Sequence, residues 1–344
     1  MGSQLAGETN VSLEICLTHL GGGGARGTDM APWVKKDIRI LTEVYRVRPL
    51  HFRAALNAPG LAVSLLRARA SFNWFAWDNA LWAVRFGKAL KVPSVVVVGG
   101  FDSANQPAFG YGAAQTSEGR RRLEKILQGA NRVFAVSEFT KNEAISTAPE
   151  VEVDVLYHGF DTADFPPGPP GSQRRVVCTV GDVTKGNLRK KGLADVVEMA
   201  RYLEDVPVVI AGRIEPGTES FVSSAPDNVR FLNYISQETL LELYCSSRVY
   251  LQLSRHESFG CAVAEAMLCR CTPVVTRAGA LPEVVGNTGH YVGLDDPRGI
   301  AETVRKVFEI PNAADAARGR VVSKFAIQHR RKVLLECFKE ICGT

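Results

Sequence analysis

With 344 residues, 46% of them hydrophobic and 22% charged, the chain exceeds what one hydrophobic core usually serves, so two domains are expected. The net charge of +5 is concentrated: Arg26 to Lys91 holds twelve Lys/Arg against four Asp/Glu, and Arg120, Arg121, Arg122 and Lys125 follow. An anionic membrane surface or other anionic partner fits this balance better than nucleic acid, for which no recognition motif is present; solvated helix faces are the plainer reading.

No apolar run reaches the roughly 18 to 20 residues that span a bilayer. Met1 to Asn10 carries no apolar signal core, Ala6 breaks a myristoylation motif, and eight cysteines lie scattered without a CxxC pair. A cytoplasmic location, with peripheral membrane contact through the basic face as the open addition, and buried free thiols are expected.

Apolar runs alternate with helix-length segments almost throughout, which predicts an α/β protein with parallel sheets covered on both faces. In the first half, strands are expected at Leu13 to Thr18, Val44 to Val47, Val95 to Val98 and Val133 to Val136. Behind the first lies Gly22-Gly23-Gly24-Ala25-Arg26-Gly27, a literal G-x-G-x-x-G. A dinucleotide fingerprint needs a helix opening at the glycines, yet Thr28 or Asp29 as N-cap and Pro32 in the first turn place the helix later. The second strand also runs into a basic segment, with no acid for a ribose. Nicotinamide binding is therefore disfavoured, and Gly23 and Gly24 are read as letting the loop bend close to a bound group. All four tryptophans (Trp33, Trp74, Trp77, Trp82) fall in this half, most of them expected to pack. A glycine-rich turn with Asp102 follows Val98, and Tyr111 lies in a loop too long for a simple turn.

Phe165-Pro166-Pro167-Gly168-Pro169-Pro170-Gly171 excludes regular structure and marks a linker. A second series follows, with strands at Val176 to Val180, Pro207 to Ala211, Val229 to Leu232 and Val249 to Leu253, a helix at Gln237 to Cys245 and a short buried strand at Pro273 to Val275. Two Rossmann-like domains follow from this order. Ligands in such sheets sit beyond the carboxyl ends of strands, so the loops there should face a common cleft.

Between the strands at Val249 to Leu253 and Pro273 to Val275, Arg255 to Met267 reads Arg-His-Glu-Ser-Phe-Gly-Cys-Ala-Val-Ala-Glu-Ala-Met. Glu257 precedes a Phe259-Gly260 turn, and Glu265 falls in the second turn of the helix expected to start there. Unpaired N–H groups at that helix start suit a diphosphate. Glu265 is then placed to accept from ribose hydroxyls and Glu257 to face a sugar; the plainer alternative makes Glu257 a helix cap and Glu265 a solvated residue.

Glu-x7-Glu with Phe-Gly inside it and Pro273-Val274-Val275 behind it resembles the donor-binding half of retaining glycosyltransferases of family 4, and the resemblance extends at lower specificity over most of the chain. It implies the GT-B fold: an acceptor-binding domain at 1–165, a donor-binding domain at 172–319, and a C-terminal helix within 320–344, about Val322 to Ile341, crossing back onto the first. Lys191-Gly192 aligns with a Lys-Gly pair whose lysine neutralises the donor diphosphate without a metal. Asp182 stands where relatives carry an arginine, leaving Arg189 or Lys190 as the second cation. Ser258, Phe259, Gly260 and Cys261 are expected to border the donor, and Arg213, Tyr234 and Ile235 to meet its base. Asp102 takes the place of a histidine near the donor sugar, if it is not a turn aspartate, with Trp74, Trp33 and Tyr111 toward the acceptor. Ser137 and Glu138 end a strand that faces the cleft, and His158 replaces an asparagine in a turn. The implied activity is retaining transfer from a UDP- or GDP-type sugar to a hydroxyl, with no cofactor or metal. The alternatives are a sugar-nucleotide epimerase and a noncatalytic sugar-nucleotide or phospholipid-binding module.

Overall fold

Runs such as Val95 to Val98 have no polar side and need cover on both faces, which a parallel sheet between helix layers supplies. The computed structural model describes residues 13–20, 30–53, 55–169, 174–310 and 313–343. The first half forms β1 (Glu14–His19), α1 (Pro32–Leu41), β2 (Arg46–His51), α2 (Ala58–Leu65), β3 (Ala70–Trp74), α3 (Asp78–Leu90), β4 (Ser94–Val98), α4 (Ser117–Gly129), β5 (Arg132–Ala135), α5 (Glu138–Thr147) and β6 (Asp154–Val155). The second forms β7 (Val176–Val180), α6 (Lys185–Lys190), α7 (Leu193–Ala200), β8 (Val208–Ala211), α8 (Glu219–Ser223), β9 (Val229–Leu232), α9 (Gln237–Ser246), β10 (Ser247–Gln252), α10 (Cys261–Leu268), β11 (Thr272–Val275), α11 (Leu281–Val285), β12 (His290–Tyr291), α12 (Pro297–Glu309), α13 (Ala313–Lys324) and α14 (Ile327–Cys342).

Among the described residues these strands make two six-stranded parallel sheets, ordered β2-β1-β3-β4-β5-β6 and β12-β11-β10-β7-β8-β9. Strand order reverses between β1 and β3 in one and between β7 and β10 in the other, which is where a ligand crevice opens in such sheets. Strand β3 was not expected. Its sequence, Ala-Ser-Phe-Asn-Trp, interrupts the apolar run with Ser71 and Asn73, but both are buried and bonded: Thr18 Oγ1 donates to Asn73 Oδ1 (2.7 Å) and Asn73 Nδ2 to Ser71 Oγ (3.0 Å). Strand β2 starts later than Val44. Its half-exposed pattern and Pro49 suit an edge, where the missing N–H costs nothing.

The helix expected over Val322 to Ile341 is two helices. α13 stays on the second domain against α10 and β11. The chain crosses at Phe325 and Ala326, pinned on both sides of Phe160: Phe160 N–H donates to Phe325 O, and Ile327 N–H donates to Phe160 O, each at 2.9 Å. α14 then lies on the first domain, where the buried Arg330 guanidinium meets Asp37 (2.6 and 2.8 Å) and Trp74 Nε1 donates to the same carboxylate (2.8 Å). Removing one member of such a buried pair strands the other charge and costs about 3–5 kcal/mol. All eight cysteines are free thiols, six of them buried. No helix among the described residues is long and apolar enough to cross a membrane.

Candidate active site

At the switch point of the second sheet, the chain leaves β7 through Gly181 and Asp182, passes the Thr184-capped α6, and reaches Lys191 and Gly192. Gly192 has φ +68°, and a Cβ there would lie 2.0 Å from the Leu253 carbonyl oxygen, so only glycine lets this turn press against the end of β10. Arg255 fastens the same turn. Its guanidinium clasps Asp195 (2.6 and 3.2 Å) and donates to the Arg189 carbonyl (2.9 Å), and its N–H donates to the Lys190 carbonyl (2.8 Å). Lys191 Nζ is thereby held 3.1 Å from Glu257 Oε2. Gln252 Nε2 donates to that oxygen at 2.6 Å and is itself oriented by the Tyr250 hydroxyl on its Oε1 (2.8 Å). Helix α10 opens behind Gly260 (φ +96°), with no side chain capping its first N–H groups. The idea of Glu257 as the cap is therefore set aside.

These groups and the first domain enclose a cavity of about 540 Å³. Lys190, Lys191, Glu257, Ser258, Phe259, Gly260 and Cys261 line one side; Trp33, Phe75, Phe101, Tyr111 and His158 line the other. A smaller cavity of about 60 Å³ shares Trp33, His158 and Cys261 with it and reaches Lys36 and Glu265.

One element of the first domain, α5, carries most of the polar contact between the two halves here. Its cap, Ser137, donates to the Ser258 carbonyl (2.6 Å), and Thr140 Oγ1 does so at 3.2 Å. Glu143 meets His256 Nε2 at 2.9 Å. The Glu283 carboxylate accepts from the N–H groups of Glu138 (2.8 Å) and Phe139 (2.7 Å), where the helix dipole favours an anion. The Glu257 loop is thus held from across the cleft.

Charge in the cavity is shaped by burial. The Lys190 ammonium lies 4.1 Å from the centre of the Tyr111 ring, and burial, with Lys191 beside it, lowers its pKa to about 8. Burial raises the Glu265 carboxyl to about 7, opposed by the Lys36 cation. His158, stacked on Trp74 with ring centres 5.8 Å apart, is pushed well below its usual pKa by burial and then by Arg330 and Lys36, so it is a neutral imidazole.

Several expected site residues lie elsewhere. Asp102 is a turn aspartate: buried, 2% exposed, its oxygens accept from Ala76 (2.7 Å), Gly99 (3.1 Å) and Gly100 (2.7 Å), leaving nothing for a sugar or acceptor. It holds the turn after Phe75, whose φ of +70° is strained for an aromatic residue, and so positions that cavity wall. Arg189 is exposed and outside the cavity. Arg213 pairs with Asp182 (2.8 Å), so the acid at the arginine position is already neutralised. Tyr234 is 71% exposed and Ile235 packs on the core; neither reaches the cavity. Trp74 contributes a wall, but it is 1% exposed with its N–H on Asp37. Gly23 and Gly24 lie outside the described residues. Lys36, Glu143, His256 and Glu283 were not singled out; they act across the cleft, and no local pattern marks such contacts.

Residues 174–309 match the family Glycosyl transferases group 1, a segment that contains every strand of the second sheet. The chain is similar to alpha-maltose-1-phosphate synthase of Mycolicibacterium smegmatis, 26% identical over 62% of this chain and 64% of the relative. It is also similar to D-inositol 3-phosphate glycosyltransferase of Mycolicibacterium vanbaalenii, 30% identical over 60% of this chain and 50% of the relative. The matches thus span less than two thirds of these relatives. Among solved structures, Anabaena Alr3699/HepE in complex with UDP and glucose superposes with a TM-score of 0.74 at 14% identity, over 95% of this chain and all of that one. Sucrose-phosphate synthase from Thermosynechococcus elongatus gives 0.74 at 14% identity, over 96% of this chain and 99% of that one. At such identities the likeness shows the fold, which is GT-B: two Rossmann-like domains around a central cleft.

Proposed function

We propose that this protein is a retaining, metal-independent glycosyltransferase that moves a sugar from a nucleoside-diphosphate sugar to a hydroxyl acceptor. The observation that carries the reading is the meeting of Lys191, Glu257 and the uncapped start of α10 on one cavity at the switch point of the second sheet. The match to Glycosyl transferases group 1 over that same segment and the UDP-bound structural neighbour support it.

In this reading the diphosphate lies on the N–H groups of α10, with Lys191 and Lys190 as counter-charges, and Glu265 receives the ribose. Glu257, steadied by Gln252, faces the sugar. The leaving phosphate oxygen takes the acceptor proton on the face it departs from, so no side-chain nucleophile or base is needed. Neutral His158 and the aromatic wall exclude water from the break.

NMR of a donor panel with and without acceptor separates the alternatives. A transferase makes a new glycosidic bond of unchanged anomeric configuration only with acceptor; an epimerase converts donor alone; a binder does neither. Transfer should persist in EDTA, because lysines and helix dipole supply the charge a metal would. Loss of activity in EDTA, restored by Mg²⁺ or Mn²⁺, refutes that part.

Lys190 adds a pH signature. Below about 8 it is a cation; above, it is neutral. A bound diphosphate raises that pKa, so nucleoside-diphosphate affinity should fall as pH climbs through 8, by up to about tenfold per unit. Calorimetry should show this slope in the wild type and flatten it in Lys190→Met; equal slopes refute the assignment.

A further inference from the structure

Helix α2 reads Ala-Pro-Gly-Leu-Ala-Val-Ser-Leu and contains no charge. Ala58, Leu61, Ser64 and Leu65 are buried, as a helix packed on α3 requires. The opposite side is apolar too: Leu56 is 92% exposed, Val63 55% and Leu66 68%. With Pro59 and Gly60 exposed between them, the positions recur at helical spacing and form one stripe. Three of the ten exposed large hydrophobics among the described residues fall in these eleven positions. Single exposed apolar residues need no explanation, but a clustered stripe does.

The surroundings say what covers it. Arg53, Arg67 and Arg69 are exposed around the stripe, and Arg85, Lys88 and Lys91 are exposed on and just after α3, which packs on α2. From Val44 to Phe101 the chain holds one acid, Asp78, and that is paired with Arg122 at 3.1 Å. A second copy would bring the same positive field and be repelled. An anionic bilayer matches both features, taking apolar side chains at the acyl boundary and cations at its headgroups.

The stripe also leads to the cavity. Its first residue follows a depression lined by His51, Phe52, Arg53 and Trp77. Trp77 meets Phe101 (5.8 Å between ring centres), and Phe101 meets Tyr111 (5.3 Å) on the cavity wall.

We propose that α2 and its arginine rim seat the protein on an anionic lipid surface, and that the hydroxyl acceptor is an amphiphile presented there. The acceptor clause rests on the glycosyltransferase reading; the docking clause does not.

Sedimentation with phosphatidylcholine vesicles, with and without phosphatidylglycerol, tests it. The full chain should bind the phosphatidylglycerol vesicles in a salt-sensitive way and the neutral ones weakly. The triple variant Leu56→Ser, Val63→Ser, Leu66→Ser should lose about tenfold or more in vesicle affinity, and Arg53→Gln with Arg67→Gln should lose the salt-sensitive part. All these positions are exposed, so melting temperature and the thermal shift with UDP or GDP should be unchanged, which separates failure here from failure of the donor site. Absent binding, or equal binding by the triple variant, overturns the proposal. So does a wild-type dimer in sedimentation velocity that the triple variant dissolves, since the stripe would then join two copies.

Discussion

Lys191→Ala should lower kcat about a hundred- to thousandfold while changing the donor KM far less. Negative charge grows on the diphosphate as its bond to the sugar breaks, so a cation fixed beside it favours the departing group over the intact donor. The geometry fixes Lys191 well: Gly192 admits the close turn, Arg255 ties its backbone, and Glu257 holds the ammonium at 3.1 Å. Lys190 is no solvated neighbour, as it lines the cavity over Tyr111. Its loss should appear in affinity and pH dependence, with the smaller effect on kcat. Steady-state kinetics of the two alanine variants decide; a larger kcat defect in Lys190→Ala would mean that the leaving group sits over Lys190 and that the Lys-Gly alignment is shifted by one residue.

Glu265→Ala should weaken nucleoside-diphosphate binding about ten- to hundredfold, the worth of a hydrogen bond between a charged carboxylate and a ribose, roughly 1.5–3 kcal/mol. Folding should survive, because this carboxyl costs rather than contributes stability at neutral pH. Its pKa is raised to about 7 from an ordinary carboxyl value near 4.5, so the unfolded chain ionises first. Native stability tied to it is full below 4.5 and is lost as pH rises through 7. Glu265→Gln should therefore melt higher than the wild type at pH 8 and similarly at pH 4. In the wild type, nucleotide affinity should rise as pH climbs from 6 through 7, and this rise should vanish in Glu265→Gln. Calorimetry showing unchanged affinity in Glu265→Ala contradicts the ribose role.

Much of the fold was legible because parallel strands buried on both faces are written as near-continuous apolar runs; Val176 to Val180 and Val229 to Leu232 fall where they were expected. β3 was hidden because Ser71 and Asn73 find their partners, Ser94 and Thr18, on the neighbouring strands, which only the third dimension reveals. The break at Phe325-Ala326 was hidden because apolar spacing continues across it while the chain changes domain.

At the site, Glu257 and Glu265 could be singled out because one short motif places them on a loop and the helix behind it, and Lys191 because its Lys-Gly pair aligns with that of the resembled family. Asp102 illustrates the limit. A glycine-rich turn after a central strand looks the same whether its aspartate faces a ligand or its own backbone, and here three amide groups claim it. Glu283 Oε1 accepts from the Phe139 N–H across 144 positions of chain, and Glu143, on the same helix as Phe139, reaches His256 across 113. No spacing rule reads such distances.

The most direct test of the central claim is a crystal structure with UDP, GDP or ADP, whichever raises the melting temperature most. The diphosphate should lie within hydrogen-bond reach of Lys191 Nζ and the first N–H groups of α10, with a ribose hydroxyl on Glu265. A nucleotide bound outside the cavity between the two sheets, or bound with its diphosphate away from Lys191 and α10, would contradict it.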